Sequence, residues 1–90
     1  MARLERSFEI VNTLGLHARA AAQLVQAANR FHSDITVEKD GLLVNGKSIM
    51  GVLTLAAGKG SQIVVACEGE DAPAAMEALA VVIRAGFGER

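Results

Sequence analysis

The turn that decides the fold is Gly15-Leu16-His17-Ala18-Arg19, which runs directly into an alanine-rich stretch. Alanine has the highest intrinsic helix propensity, and apolar residues recur in this stretch at helical spacing, so we expect a helix over residues 18–31. The first backbone N–H groups of a helix have no partner within it and attract anions. His17 is therefore predicted to lie at a positively polarised helix end with Arg19 beside it, a suitable place to hold a phosphoryl group.

The rest of the chain alternates between strand and helix patterns. Residues alternate in polarity over 4–11, with Arg6 as the exception on the apolar face, and the unbroken apolar run 63–67 within the strand 62–68 indicates a central strand. Asp40-Gly41 is a strong signal for a two-residue hairpin. We predict strands at 4–11, 34–39, 42–45 and 62–68, and helices at 18–31 and 49–55. A last helix is expected to be capped by Asp71 or its neighbour and to be ended by Gly86.

This order, β-α-β-β-α-β-α, indicates an α+β fold in which helices cover one face of a single antiparallel-type sheet. The chain has 90 residues, which fits one domain over residues 1–90. The helices at 18–31 and near the end each carry one apolar stripe, so we expect both to pack on the same face.

Composition excludes several classes of function. The net charge is −1 and the aromatic residues are three phenylalanines, which argues against a nucleic-acid binder. The single cysteine, Cys67, cannot form an internal disulfide and is expected to be buried in its strand. No apolar run is long enough to span a membrane, and residues 1–6 lack a signal-peptide core. We therefore expect a cytoplasmic protein that does not contact a membrane. We also expect no cofactor and no metal site, since the cysteine and the two histidines, His17 and His32, do not have the spacing of metal ligands.

A second motif, VNGKSIMG, runs from Val44 to Gly51. Together with the histidine turn it makes the chain resemble the HPr family, the histidine-containing phosphocarriers of the bacterial phosphotransferase system. The resemblance covers nearly the whole chain and implies an open-faced β-sandwich, a four-stranded antiparallel sheet with three helices on one side.

The resemblance also implies a function. Enzyme I, which uses phosphoenolpyruvate, would phosphorylate Nδ1 of His17, and the phosphoryl group would pass to IIA domains. The amides of Ala18 and Arg19 would bind phosphate oxygens and the Arg19 side chain would stabilise their charge. The protein would be a monomeric carrier, not an enzyme. Two alternatives stay open: a regulator of the nitrogen-related branch of the family, and a small ligand- or protein-binding module in which His17 only ends a helix.

Ser48 is a second candidate for modification. In some HPr proteins a serine in this motif is phosphorylated by HPr kinase/phosphorylase, whereas an N-cap role alone would also explain a serine here. Residues near the two motifs are predicted to contact partners, although each apolar one fits a place in the core equally well. Arg30, Lys47 and Lys59 are expected to be solvated surface charges, with electrostatic steering of acidic partners as the alternative. The predicted contact residues are Leu14, Leu16, Ala20, Lys47, Ile49, Met50 and Leu53.

Two of these positions depart from the commonest family pattern. Many members have proline where this chain has Ala20, and a polar residue where it has Leu14. The sequence alone therefore does not identify the group that orients the His17 ring.

Overall fold

A computed structural model describes residues 2–89. Within that range, four strands and three helices follow one another in the predicted order, β-α-β-β-α-β-α, and a short 3-10 turn at Gly86–Gly88 follows the last helix. The elements are β1 (Arg3–Glu9), α1 (Ala18–Ala28), β2 (Asp34–Lys39), β3 (Leu42–Asn45), α2 (Ile49–Thr54), β4 (Gln62–Glu68) and α3 (Ala72–Arg84).

The sheet has the order β1-β4-β2-β3, and all neighbouring strands are antiparallel. β4 is an inner strand, as the apolar run 63–67 predicts. Its residues Ile63, Val65 and Cys67 are fully buried on the face that the helices cover. Burying each such side chain stabilises the fold by about 1.5–3 kcal/mol, so this face anchors the core. Burial also raises the pKa of the Cys67 thiol.

Two local predictions for the strands are confirmed. Asp40 and Gly41 both have positive φ angles, +52° and +87°, as a type I′ hairpin requires. Arg6 pairs in register with buried Val65, and its guanidinium lies over the ring of Phe8, 5.2 Å from the ring centre. This stacking lets a charged side chain occupy the helix-covered face.

Several predicted elements are shorter than expected, and two of them, α1 and β1, end two or three residues early. α1 ends at Ala28 instead of residue 31, because the side chain of Asn29 donates to the carbonyl of Val25 at 3.0 Å and the next residues form tight turns. β1 ends at Glu9 instead of residue 11, because its regular pairing with β4 stops at the Glu9–Gln62 pair. In both cases the polar and apolar pattern of the sequence extends a few residues beyond the regular hydrogen bonding of the helix or strand.

Asp71 precedes α3 as predicted, yet its side chain makes no capping bond in the described part of the chain. Instead its carboxylate accepts hydrogen bonds from the hydroxyl and backbone N–H of Ser33 and from the backbone N–H of His32. The hydroxyl of Ser33 and these N–H groups lower the pKa of Asp71 to about 2. Asp71 therefore ties the start of α3 to the turn before β2.

No helix within residues 2–89 is long and apolar enough to cross a membrane. Over the same range, no three side chains of histidine, cysteine, aspartate or glutamate come together in a way that could hold a metal ion.

Candidate functional site

His17 is the N-cap residue of α1. Its backbone is extended, with φ −74° and ψ 178°, and its carbonyl accepts the first helical hydrogen bond from Ala21 at 2.8 Å. Among the described residues, its side chain makes no capping hydrogen bond. The first N–H groups of α1 therefore keep their capacity to bind an anion.

The turn before His17 is held against the loop that follows α2. The backbone N–H of Leu16 donates to the carbonyl of Ala57 at 2.8 Å. Gly15 has a φ of +66°, and a Cβ at that position would lie 2.4 Å from the same carbonyl oxygen. Only glycine fits this close approach with this backbone conformation, which explains the residue two positions before the histidine.

Glu89 contacts the His17 ring, and the sequence analysis did not identify it. One oxygen of its carboxylate lies 3.1 Å from Nε2 of His17 and accepts from Nδ2 of Asn12 at 3.3 Å. The other oxygen accepts from the backbone N–H of Leu14 at 3.0 Å. The Leu14 N–H, followed by Asn12 and His17, lowers the pKa of Glu89, so the carboxylate is ionised at neutral pH.

The tail that carries Glu89 is fixed by one buried ring. Gly86, Phe87 and Gly88 all have positive φ angles, and the Phe87 side chain is buried in the core. A phenylalanine between two glycines after the last helix is the sequence signal for such a docked tail. That signal was available, but it gives no indication of where the tail binds.

A cleft of about 250 Å³ opens beside His17. Arg19 is exposed and lines it, so the structure brings together the two residues predicted to hold the phosphoryl group. The ion pairs found within residues 2–89 do not involve the Arg19 guanidinium. The cleft is also lined by Leu14, Ala20, Phe87, Gly88 and Glu89.

Ser48 is the N-cap residue of α2, as predicted. Its hydroxyl oxygen accepts a hydrogen bond from the backbone N–H of Gly51 at 3.1 Å. The serine is half-buried, and α2 packs against α1. Ser48 and His17 thus begin two neighbouring helices.

The seven predicted partner contacts divide into three groups. Leu14, Ile49 and Met50 are exposed, with 66%, 41% and 73% of their surface accessible. Leu16 and Ala20 are only 4% and 1% exposed, so the expectation that they contact partners is corrected: both belong to the core.

Two further residues of the predicted contact set are used within the protein. Leu53 is partly buried and packs against the core. The ammonium group of Lys47 donates to the carbonyl of Phe31 at 2.7 Å, where it joins the segment after α1 to the loop before α2. Arg30 and Lys59 are exposed, which fits both a solvated charge and a steering role, and the Arg30 guanidinium lies 5.5 Å from the centre of the Phe31 ring.

Known proteins similar to this chain share its length and fold. The phosphocarrier protein HPr of Neisseria meningitidis is 49% identical over 86 residues, which cover 96% of this chain and 97% of the relative. The crystal structure of HPr-C-His from Thermoanaerobacter tengcongensis has a TM-score of 0.93 at 46% identity and covers 97% of this chain and 98% of its own.

A second structure from Thermoanaerobacter tengcongensis is described as an HPr dimer; it has a TM-score of 0.78 at 48% identity and covers 91% of this chain and 94% of its own. The monomeric state expected for this chain therefore stays a prediction. The family model described as the PTS HPr component phosphorylation site matches residues 4–85. By this match and by its similarity to HPr proteins over nearly its full length, the chain belongs to the HPr family of phosphocarriers of the phosphotransferase system.

Proposed function

We propose that this protein receives a phosphoryl group from phospho-enzyme I on Nδ1 of His17 and passes it to IIA-type acceptor domains. The observation that carries the proposal is the start of α1, where His17 is the N-cap residue but, among residues 2–89, its side chain caps none of the first N–H groups of the helix. Nε2 of the ring lies near Glu89, which leaves Nδ1 for the phosphoryl group.

The transfer step needs a nucleophile and donors for the phosphoryl oxygens. The lone pair of Nδ1 attacks phosphorus, a bond between nitrogen and phosphorus forms, and the bond to the donor breaks with its electron pair leaving on the donor. The N–H groups of Ala18 and Arg19 then donate to the phosphoryl oxygens, and the Arg19 guanidinium adds positive charge. Helix-end interactions of this kind contribute about 0.3–1 kcal/mol each, weak enough for the group to be passed on.

Partner docking is supported by the exposed apolar residues Leu14, Ile49 and Met50. Leu14 lines the His17 cleft, and the other two lie in the first turn of α2, which packs against α1. Methionine adapts to surfaces of different shape, which suits a protein that meets a donor and several acceptors in turn.

The test is phosphorylation with purified enzyme I and phosphoenolpyruvate, followed by intact mass. We expect one added phosphoryl group that is labile in acid, and none on the His17→Ala variant. His32→Ala is the matched control and should be phosphorylated like the wild type, because His32 is exposed in the turn between α1 and β2, away from the start of α1. No modification, or modification that persists in His17→Ala, would contradict the proposal and favour a binding module.

Ser48 is proposed as a regulatory phosphorylation site for HPr kinase/phosphorylase. The support is its motif and its position at the start of α2, near the exposed side chains of Ile49 and Met50. A phosphate there would place about two negative charges beside the docking residues and weaken the binding of partners. With this kinase and ATP, we expect acid-stable phosphate on the wild type and on Ser7→Ala, a variant of an exposed serine in β1, but not on Ser48→Ala. Equal labelling of all three would remove the proposal.

A further inference from the structure

We infer that Glu89 is a positioning residue for phosphoryl transfer: its carboxylate holds the His17 ring with the proton on Nε2 and directs the lone pair of Nδ1 toward the phosphoryl donor. This inference rests on the proposed function, because it assigns a role in the transfer to a residue outside both sequence motifs. The sequence did not identify the group that orients the His17 ring, because Leu14 and Ala20 depart from the common family pattern. Glu89 is that group.

Hydrogen-bond geometry determines where the proton lies. The Glu89 carboxylate accepts from two fixed donors, the backbone N–H of Leu14 and the side-chain amide of Asn12. An ionised carboxylate can only accept, so the 3.1 Å contact with Nε2 of His17 requires that nitrogen to donate. In the neutral ring the proton is then on Nε2, and Nδ1 carries the free lone pair.

Asn12 holds the Glu89 carboxylate in place. Its side chain is 5% exposed, and Nδ2 donates both to the carbonyl of Gly15 at 2.8 Å and to Glu89. Rotating the amide by half a turn would place an oxygen against two acceptors, so only one orientation fits. The buried Phe87 ring holds the segment next to Glu89, and among residues 2–89 Arg19 is the other charged side chain, besides His17 and Glu89, that lines the cleft.

This arrangement serves both the arrival and the departure of the phosphoryl group. When Nδ1 attacks phosphorus, the ring gains positive charge while Nε2 keeps its proton, and the Glu89 carboxylate stabilises that charge. When the group leaves for an acceptor, the electron pair of the bond between nitrogen and phosphorus returns to Nδ1 and the ring leaves neutral. Without the Nε2 proton the leaving group would be an imidazolate anion, which is a much poorer leaving group.

The ring can be tested before any phosphate is added. The ¹⁵N chemical shifts of Nδ1 and Nε2 in labelled histidine report the two tautomers of the unphosphorylated protein at about pH 9, where ordinary histidine rings are neutral. We expect Glu89→Gln to lower the ratio of the Nε2–H to the Nδ1–H tautomer about tenfold, because a neutral amide replaces a charged acceptor. Glu77→Gln is the matched control, since Glu77 is an exposed carboxylate on α3, and it should leave the ratio unchanged.

The second measurement is the single-turnover rate of transfer from phospho-enzyme I. We expect Glu89→Gln to be slower by about tenfold and Glu77→Gln to match the wild type. An unchanged tautomer ratio in Glu89→Gln would overturn the inference, and so would a shifted ratio with an unchanged rate. If the wild type itself accepts no phosphoryl group, the proposed function fails and the role in transfer fails with it, whatever the tautomer ratio.

Discussion

The starts of α1 and α2 differ in what their N-cap side chains do. Both His17 and Ser48 have extended backbones and precede neighbouring helices. The hydroxyl of Ser48 binds the N–H of Gly51, so α2 begins with one of its free donors already satisfied. The His17 ring instead reaches Glu89 and, within the described part of the chain, caps none of the donors of α1. One helix start is built for stability, and the other is left open for an anion.

The largest expected effect is a loss of stability when the turn before His17, at the start of α1, is displaced. Gly15→Ala should lower the free energy of unfolding by about 2–4 kcal/mol, because alanine is strained at positive φ and its Cβ would overlap the Ala57 carbonyl. Urea denaturation measures this change. The matched control is Gly58→Ala, on the other side of the same contact, where an added Cβ meets no atom of residues 2–89 within 4 Å and the change should stay below about 1 kcal/mol. Equal losses in the two variants would contradict the close approach at Gly15.

The next effect concerns Arg19, the cation beside His17 at the start of α1. Arg19→Ala should slow phosphoryl transfer about tenfold, because the variant loses the donors that reach the cleft, while the fold is retained. Rapid-quench kinetics with phospho-enzyme I would measure the rate. Arg30→Ala, a change at the far end of α1, is the control and should be affected less than threefold at physiological salt, the range expected for steering alone. A transfer rate that is the same in Arg19→Ala and wild type would remove the role of the guanidinium.

A smaller effect is expected at the start of α2, where Ser48 caps the helix. Ser48→Ala should lower the free energy of unfolding by about 1 kcal/mol, because the N–H of Gly51 loses its acceptor. Ser48→Asp should keep most of the stability, since aspartate is an equally good N-cap residue. Thermal unfolding compares the three proteins. If both variants lose the same amount, Ser48 contributes something other than a capping bond.

The smallest effect is the stability change on removing the histidine. His17→Ala should change the free energy of unfolding by less than about 0.5 kcal/mol, because the ring caps nothing within the described residues and its ion pair with Glu89 is partly exposed. Chemical denaturation at neutral pH gives the value. A loss as large as that of Ser48→Ala would show that the two helix starts are more alike than their hydrogen bonds indicate.

The sequence predicted those parts of the fold that depend on local patterns. The hairpin at Asp40-Gly41, the central position of β4 and the cap at Ser48 each follow from a few adjacent residues. The element order then leaves few topologies, because each apolar stripe has one face on which to pack. The positions of His17 and Arg19 at the start of α1 follow from the same local reasoning.

The remaining features depend on contacts between distant parts of the chain. Glu89 lies 72 residues from His17 in sequence, and no spacing rule relates the two. Lys47 resembles a solvated cation until its ammonium group is seen at the carbonyl of Phe31. Leu16 follows a glycine turn and resembles an exposed docking residue, yet the bond from its N–H to Ala57 draws the turn onto the core.

The docked tail has a consequence for hydrogen exchange. The amide of Leu14 donates to a carboxylate on a segment that a single buried ring, Phe87, holds in place. That amide can exchange with solvent when the Glu89 carboxylate moves away from it, which needs no unfolding of the sheet. The exchange rate of the Leu14 amide therefore reports how often this contact beside the histidine opens. The rate can be compared between the unphosphorylated and the phosphorylated protein.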